Sequence, residues 1–434
     1  MNRFRSRAVL FAAVVLTAPL VTLAQQKTPP AKTAATASVR PKIRTITAFI
    51  NLDPAQYEQQ VADTIGMLRR AKTTFESRGY EVETIRIATQ PFPEYTKGMT
   101  TQQAVAFFQK YDALAEKEKF RAGIGPAMLN AGDPESQADL LANILAATKN
   151  ICGSIVIAGD DGVRWKAIGA AARAIKKLEE ETGHSQGNFN LGAIAVVPPY
   201  SPFFTAAYHT GFGHQFAVGL ESANIVQAAF KEAPDVETAK RRLTDLLLDQ
   251  AAEVERHAER VDMETGWRYM GIDLSPAPLK DVSIGAAIEE LIGQPFGSAG
   301  TLTASGTITA AIKAVDVKQT GYNGLMLPIL EDSRLAQRWS EGRVSLEGLL
   351  SYSSVCATGL DTIPLPGDVS IEQLDMILAD VATLAVKWHK PLSARLLPVK
   401  GKGPGDMTEF DDPFLVNATI QPLGHNGAGG NASQ

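Results

Sequence analysis

The chain has 434 residues, long enough for a large hydrophobic core, with 45% hydrophobic and 21% charged residues and a formal net charge of −5. Residues 1–42 hold seven of the 42 Lys and Arg and none of the 47 Asp and Glu, so the remainder carries 35 basic against 47 acidic residues. Such an acidic body argues against nucleic acid and anionic membrane surfaces as partners, and two cysteines, Cys152 and Cys356, exclude a disulfide-framed scaffold while leaving one bridge between them open.

Arg3, Arg5 and Arg7 precede an apolar run from Ala8 to Leu23 that Pro19 interrupts, and Thr22-Leu23-Ala24 offers small residues for cleavage. Residues 1–24 therefore read as a signal peptide. The run falls short of the roughly 20 apolar residues a spanning helix needs, so the expectation is a periplasmic or secreted protein with no stable membrane insertion after cleavage. Residues 25–42 are rich in Pro, Ala and Thr without apolar periodicity and read as a flexible linker.

From Arg44 onward, short β-rich runs alternate with amphipathic helices, the pattern of an α/β fold. Ile46 to Leu52 reads as a strand. Asp53 and Pro54 then supply an N-cap and a first-turn proline for a helix carrying Tyr57, Val61, Ile65, Leu68 and Phe75 on one face, ended by Gly79. Ile85-Arg86-Ile87 resumes a strand. Further helices are predicted over 102–119, 165–181, 236–263, 284–291, 308–315, 346–350 and 371–386, and strands over 151–158, 191–197 and 267–274. With no repeat and no mid-chain linker, residues 43–423 read as one large domain, followed by a polar, glycine-rich tail over 424–434. Periodicity alone suggests a doubly wound sheet or an eight-stranded barrel.

Three blocks in the second half say more: Gly271-Ile272-Asp273-Leu274-Ser275-Pro276-Ala277-Pro278, Cys356-Ala357-Thr358-Gly359-Leu360-Asp361, and Lys400-Gly401-Lys402-Gly403-Pro404-Gly405-Asp406-Met407-Thr408-Glu409-Phe410. Together they resemble the domain-of-unknown-function 711 family, also called uncharacterised protein family 0210. The resemblance covers nearly the whole domain. It implies a ten-stranded α/β barrel closed around an inner hairpin loop, like that of pyruvate formate-lyase, but brings no established reaction. Glycyl-radical chemistry does not follow, because the C-terminal glycines lack the Arg-Val lead that a radical glycine has in such barrels.

His209 and His214 lie five apart among glycines, with Glu221 beyond them, and histidine moves protons most readily near neutral pH; loop hydrogen bonding is the competing account. Asp273 ends a strand-like run and enters Ser275, placing a carboxylate where barrel ligands usually sit, or else capping a helix. Cys356 is either a nucleophile or a small buried residue, and Asp361 follows it in an expected Gly-Leu-Asp turn. His257 reads as a core-edge residue of the long helix. Gly297 to Thr301 is a weak anion-binding signal, and Lys400, Asp406 and Glu409 sit in a glycine-rich loop suited to a ligand wall. No motif for a cofactor is present, and the histidine spacing does not match a metal site. The leading expectation is an exported enzyme with non-radical acid and base chemistry on a small polar molecule in the barrel mouth, using His209, His214, Asp273 and Cys356. The alternatives are a periplasmic small-molecule binding or sensing protein, and a scaffold with a filled barrel. Self-association into a homo-oligomer is left open.

Overall fold

Alternate residues of a strand face opposite ways, so a strand apolar on one face and mixed on the other needs helices over the first and something particular within the second. The computed structural model describes residues 39–424; the stretch read as signal peptide, most of the linker and the tail after Gly424 lie outside the described residues. Among the described residues ten strands form: β1 (Lys42–Ile50), β2 (Val82–Thr89), β3 (Arg121–Ala127), β4 (Ile151–Gly159), β5 (Gly162–Val163), β6 (Leu191–Ala195), β7 (Gln215–Glu221), β8 (Arg268–Asp273), β9 (Gly359–Pro366) and β10 (Leu392–Val399). They make a single α/β domain with one ten-stranded sheet in the order β8-β7-β1-β2-β3-β4-β6-β10-β9, β5 pairing with β4. Pairing is parallel except between β1 and β7, β6 and β10, and β4 and β5.

The sheet is curled. Glu331 receives Arg44 of β1 at 3.0 Å and Arg395 of β10 at 2.5 Å, yet five spacings separate those strands in the sheet order, about 24 Å on a flat sheet. Side chains standing off a flat sheet could not meet across that width. Both edges also bridge to one segment, Ile272 of β8 to Gln319 and Asp361 of β9 to Pro328. The nine Cα steps from Gln319 to Pro328 reach about 30 Å at full extension, less than the roughly 38 Å that eight flat spacings would span.

Ile46, Ala48, Ile85, Ile87, Ile155 and Ile157 face outward into the main core, against helical residues such as Leu68, Phe75, Leu178 and Leu378. The inward face holds a hairpin loop, in which Tyr200 N donates to Tyr208 O at 3.0 Å. Its Phe203 and Ala206 pack with Val156, Ile194, Tyr322 and Met326, and its Ala207 with Phe49, Ala88 and Ala217. Glycine makes room for it: a Cβ at Gly192 would lie 2.4 Å from Thr205 Oγ1.

The helix Trp165–Glu181 has the bounds expected of it, and Thr101–Glu118 starts at a Thr100/Gln103 capping box. Asp53 and Pro54 do not begin the first helix. Asp53 instead accepts from Ala55 N in a turn, and the helix runs Tyr57–Glu76. Gly359-Leu360-Asp361 opens β9 rather than making a turn, and β3, β7 and β10 were not expected. Their glycines, proline and single charges break the apolar runs.

Gly192→Val should drive a branched side chain into the inner hairpin and lower stability by about 1–3 kcal/mol, read from the urea midpoint. Gly66→Ala, mid-helix with nothing within 4 Å of the new methyl, should raise it by about 0.5–1 kcal/mol.

Candidate anion-binding site

Four arginines line the barrel interior: Arg44 on β1, Arg86 on β2, Arg121 on β3 and Arg395 on β10. With Asp273, Ser275, Glu331, Asp361 and the rings of Phe189, Phe203, Phe204 and Phe414, they line a cavity of about 80 Å³. One water needs about 10–15 Å³ of such space, so a small organic molecule fits.

Two of these arginines are matched. Arg395 Nε donates to Asp361 Oδ1 and Nη2 to Glu331 Oε1, both at 2.5 Å, and its guanidinium lies over Phe189 and Phe203. Burial opposes the charge, yet Asp361 and Glu331 hold the group above the ordinary arginine range. Arg44 donates to Glu83 at 3.0 Å, Glu221 at 2.9 Å and Glu331 at 3.0 Å, and lies over Phe414. Burial and the neighbouring Glu83 push Glu221 up to about 8 against the pull of Arg44 and Lys42.

The other two are not matched. Arg86 is 9% exposed; its Nη1 donates to Pro202 O at 3.1 Å and its plane lies 5.2 Å from the Phe204 ring centre. Its Nε is buried without a partner. Arg121, its direct register partner across β2 and β3, donates to Lys149 O. Among the described residues neither makes an ion pair with a carboxylate. Burial, with Arg44 and Arg121 adding, pulls Arg86 below the ordinary arginine range. Like charges directly opposite on neighbouring strands destabilise a sheet, and a buried unpaired cation costs more. Behind Phe204, the Cys152 thiol donates to the Phe204 carbonyl at 2.8 Å, and burial pushes it up to about 12, which keeps it neutral.

The expected convergence of His209, His214, Asp273 and Cys356 does not occur, because only Asp273 reaches the cavity. Its oxygens accept from the backbone N–H groups of Ser275, Tyr322 and Asn323, so it pins the segment that joins the sheet edges. His209 is fully buried against Gln215, Nε2 to Oε1 at 2.7 Å, and burial lowers its pKa. His214 is exposed and stacks on Trp267. Cys356 is buried in the main core, its carbonyl accepting from Lys390 Nζ at 2.6 Å. Neither cysteine is bridged. Asp361 and Ser275 line the cavity, and Glu221 reaches it through Arg44. Lys400, Asp406 and Glu409 lie outside it: Lys400 pairs with Glu180, Glu409 with Lys402, and Asp406 accepts from Gly403 N. His257 edges Phe75 and Tyr80. Gly297 serves a close approach, where a Cβ would lie 2.1 Å from Arg343 O. The residues missed from sequence are Arg44, Arg86, Arg121, Glu331 and Arg395; an arginine between apolar neighbours in Ile85-Arg86-Ile87 and Ala394-Arg395-Leu396 was the available signal for two of them.

A family model described as "Uncharacterised ACR (DUF711)" matches residues 36–415. The chain belongs to the DUF711 family. It is similar to UPF0210 proteins of Pyrobaculum islandicum, 31% identical over 85% of this chain and 87% of the other, of Pyrobaculum aerophilum, 32% identical over 84% and 86%, and of Desulforudis audaxviator, 27% identical over 89% and 91%. Among solved structures it is similar to the anaerobic ribonucleotide reductase from Thermotoga maritima in complex with dATP and CTP, with a TM-score of 0.41 and 9% identity over 81% of this chain and 75% of that one.

These relatives correct the reading of an exported enzyme, or of a periplasmic binding protein, with a signal peptide. The DUF711 match begins at residue 36, beyond the basic and apolar start, and the domain shared with archaeal and bacterial UPF0210 proteins carries nothing that supports export or a periplasmic role. Among the described residues no helix is long and apolar enough to cross a membrane.

Arg395→Met should strip Asp361 and one side of Glu331 of their counter-charge and destabilise the fold by about 3–5 kcal/mol in urea unfolding. Glu221 supplies a pH test. Its folded value near 8 exceeds the ordinary 4.5, so the stability it contributes is full below about 4.5 and is lost as pH rises through 8. Glu221→Gln should remove that part of the decline in melting temperature between pH 5 and 9.

Proposed function

We propose that the barrel of this DUF711 protein binds a small oxyanion, a carboxylate or phosphate group on a compact molecule, between Arg86 and Arg121. The observation that carries this reading is the pairing of two cavity-lining arginines in direct register with no ion pair to a carboxylate on either among the described residues. A folded protein holds such a pair against its own electrostatics when a ligand supplies the missing negative charge. Arginine suits the task because its planar fork matches two oxygens of a carboxylate or phosphate, and Phe204 beneath Arg86 keeps that fork in one plane. The rings around the cavity leave room for a small apolar body behind the anionic group. The acidic balance of the rest of the chain favours a small anion that enters alone over a polyanion that would lie along the surface.

The test compares wild type with Arg86→Met in thermal unfolding, using sodium phosphate and sodium propionate against chloride at constant ionic strength. Wild type should be stabilised progressively, by about 2.7 kcal/mol at a hundred times the dissociation constant. Arg86→Met, relieved of an unpaired buried charge, should melt at or above the unliganded wild type and show no response to either anion. Equal responses in the two proteins, or none in wild type, would contradict the proposal.

A further inference from the structure

The cavity is asymmetric. Arg86 and Arg121 present their cationic side from β2 and β3, while Asp273, Glu331 and Asp361 approach from β8, β9 and the segment that joins the sheet edges. The three acids are not equivalent. Both oxygens of Asp273 accept backbone N–H groups. Both oxygens of Glu331 are taken, one by Arg395 and the other by Arg44. Asp361, which lines the cavity, differs: Oδ1 accepts from Arg395 Nε at 2.5 Å, and Oδ2 accepts no hydrogen bond among the described residues. The hydroxyls nearby are engaged as well, Thr45 with Thr47, Thr84 on the Arg44 carbonyl and Ser275 accepting from Gly324 N.

We infer that the ligand is a small carboxylic acid bearing a hydrogen-bond donor, an ammonium or a hydroxyl group, whose anionic end meets Arg86 and Arg121 and whose donor meets Asp361 Oδ2. This rests on the anion reading above and adds the second contact. Opposed walls of this kind select a molecule by the separation of its two polar groups, and a buried carboxylate oxygen left without a donor in a closed site is costly, so an analogue lacking the donor is rejected. Arg395 holds the orientation of Asp361: the bond to Nε fixes which carboxylate oxygen is taken, and Phe189 and Phe203 fix the guanidinium. Asp361 is thus a specificity-determining residue, and Arg395 positions it. A cavity of about 80 Å³ limits the ligand to a few heavy atoms.

Three probes of nearly equal size separate the possibilities by calorimetric titration at pH 7: propionate, lactate and alanine, identical except for hydrogen, hydroxyl or ammonium on the second carbon. Wild type should bind lactate or alanine at least about 10-fold more tightly than propionate, the scale of one hydrogen bond to a charged group. Asp361→Asn should lose that preference while keeping its propionate affinity, and Arg86→Met should lose all three probes. The wild-type comparison decides the matter even where Asp361→Asn fails to fold. Equal affinity for all three would overturn the donor contact and leave the anion site standing; binding of none would overturn both.

Discussion

Glu331 holds Arg44 of β1 with one oxygen and Arg395 of β10 with the other, and so ties together two strands that lie on opposite sides of the barrel. Its own position is set from several directions: Ile329 N donates to Asp361 O, Leu330 N to Thr362 Oγ1, and Lys280 N to the Glu331 carbonyl. The next residue, Asp332, turns the other way and accepts from Ser283 Oγ and from the first N–H groups of the helices Ile284–Ile292 and Ser333–Ser340. One acidic dipeptide thus serves both the interior and the helical layer. A buried carboxylate between two guanidinium groups offsets desolvation that none of the three could bear alone, which is why an interior this polar is compatible with a stable sheet.

Against that matched group, Arg86 and Arg121 are an exception that needs a cause. Packing does not require them, since other strands present small or hydroxyl side chains inward, as with Gly192 and Ser393. Their cost falls on the unliganded state, and a bound anion converts it into affinity. Glu83 and Glu221 show the same interior meeting the opposite conflict internally: both carboxylates accept from the Arg44 guanidinium, and burial beside Glu83 raises the pKa of Glu221.

The fold was partly legible in the sequence and the site hardly at all. Helices with a clear apolar face, such as Trp165–Glu181, follow from periodicity, and in Thr101–Glu118 a local capping box adds a short-range start signal. Strands of this curled sheet are covered on both faces, so Arg121–Ala127 and Leu392–Val399, with their glycine, proline and arginine, do not alternate and give no strand signal. Ten strands rather than eight followed from the family resemblance, not from pattern. Histidines among glycines drew attention because histidine is chemically ready, yet His214 faces water and His209 satisfies Gln215. Which face of a strand an arginine occupies depends on the curl of the whole sheet, and that is set by contacts such as Arg44 with Glu331, 287 positions apart.

A crystal grown in sodium bromide offers the most direct test of the claim that Arg86 and Arg121 form an anion site. The account predicts an anomalous bromide peak in the cavity, within hydrogen-bond distance of the Arg86 guanidinium and next to Arg121. A cavity holding only water, or Arg86 paired with a protein carboxylate, would contradict it.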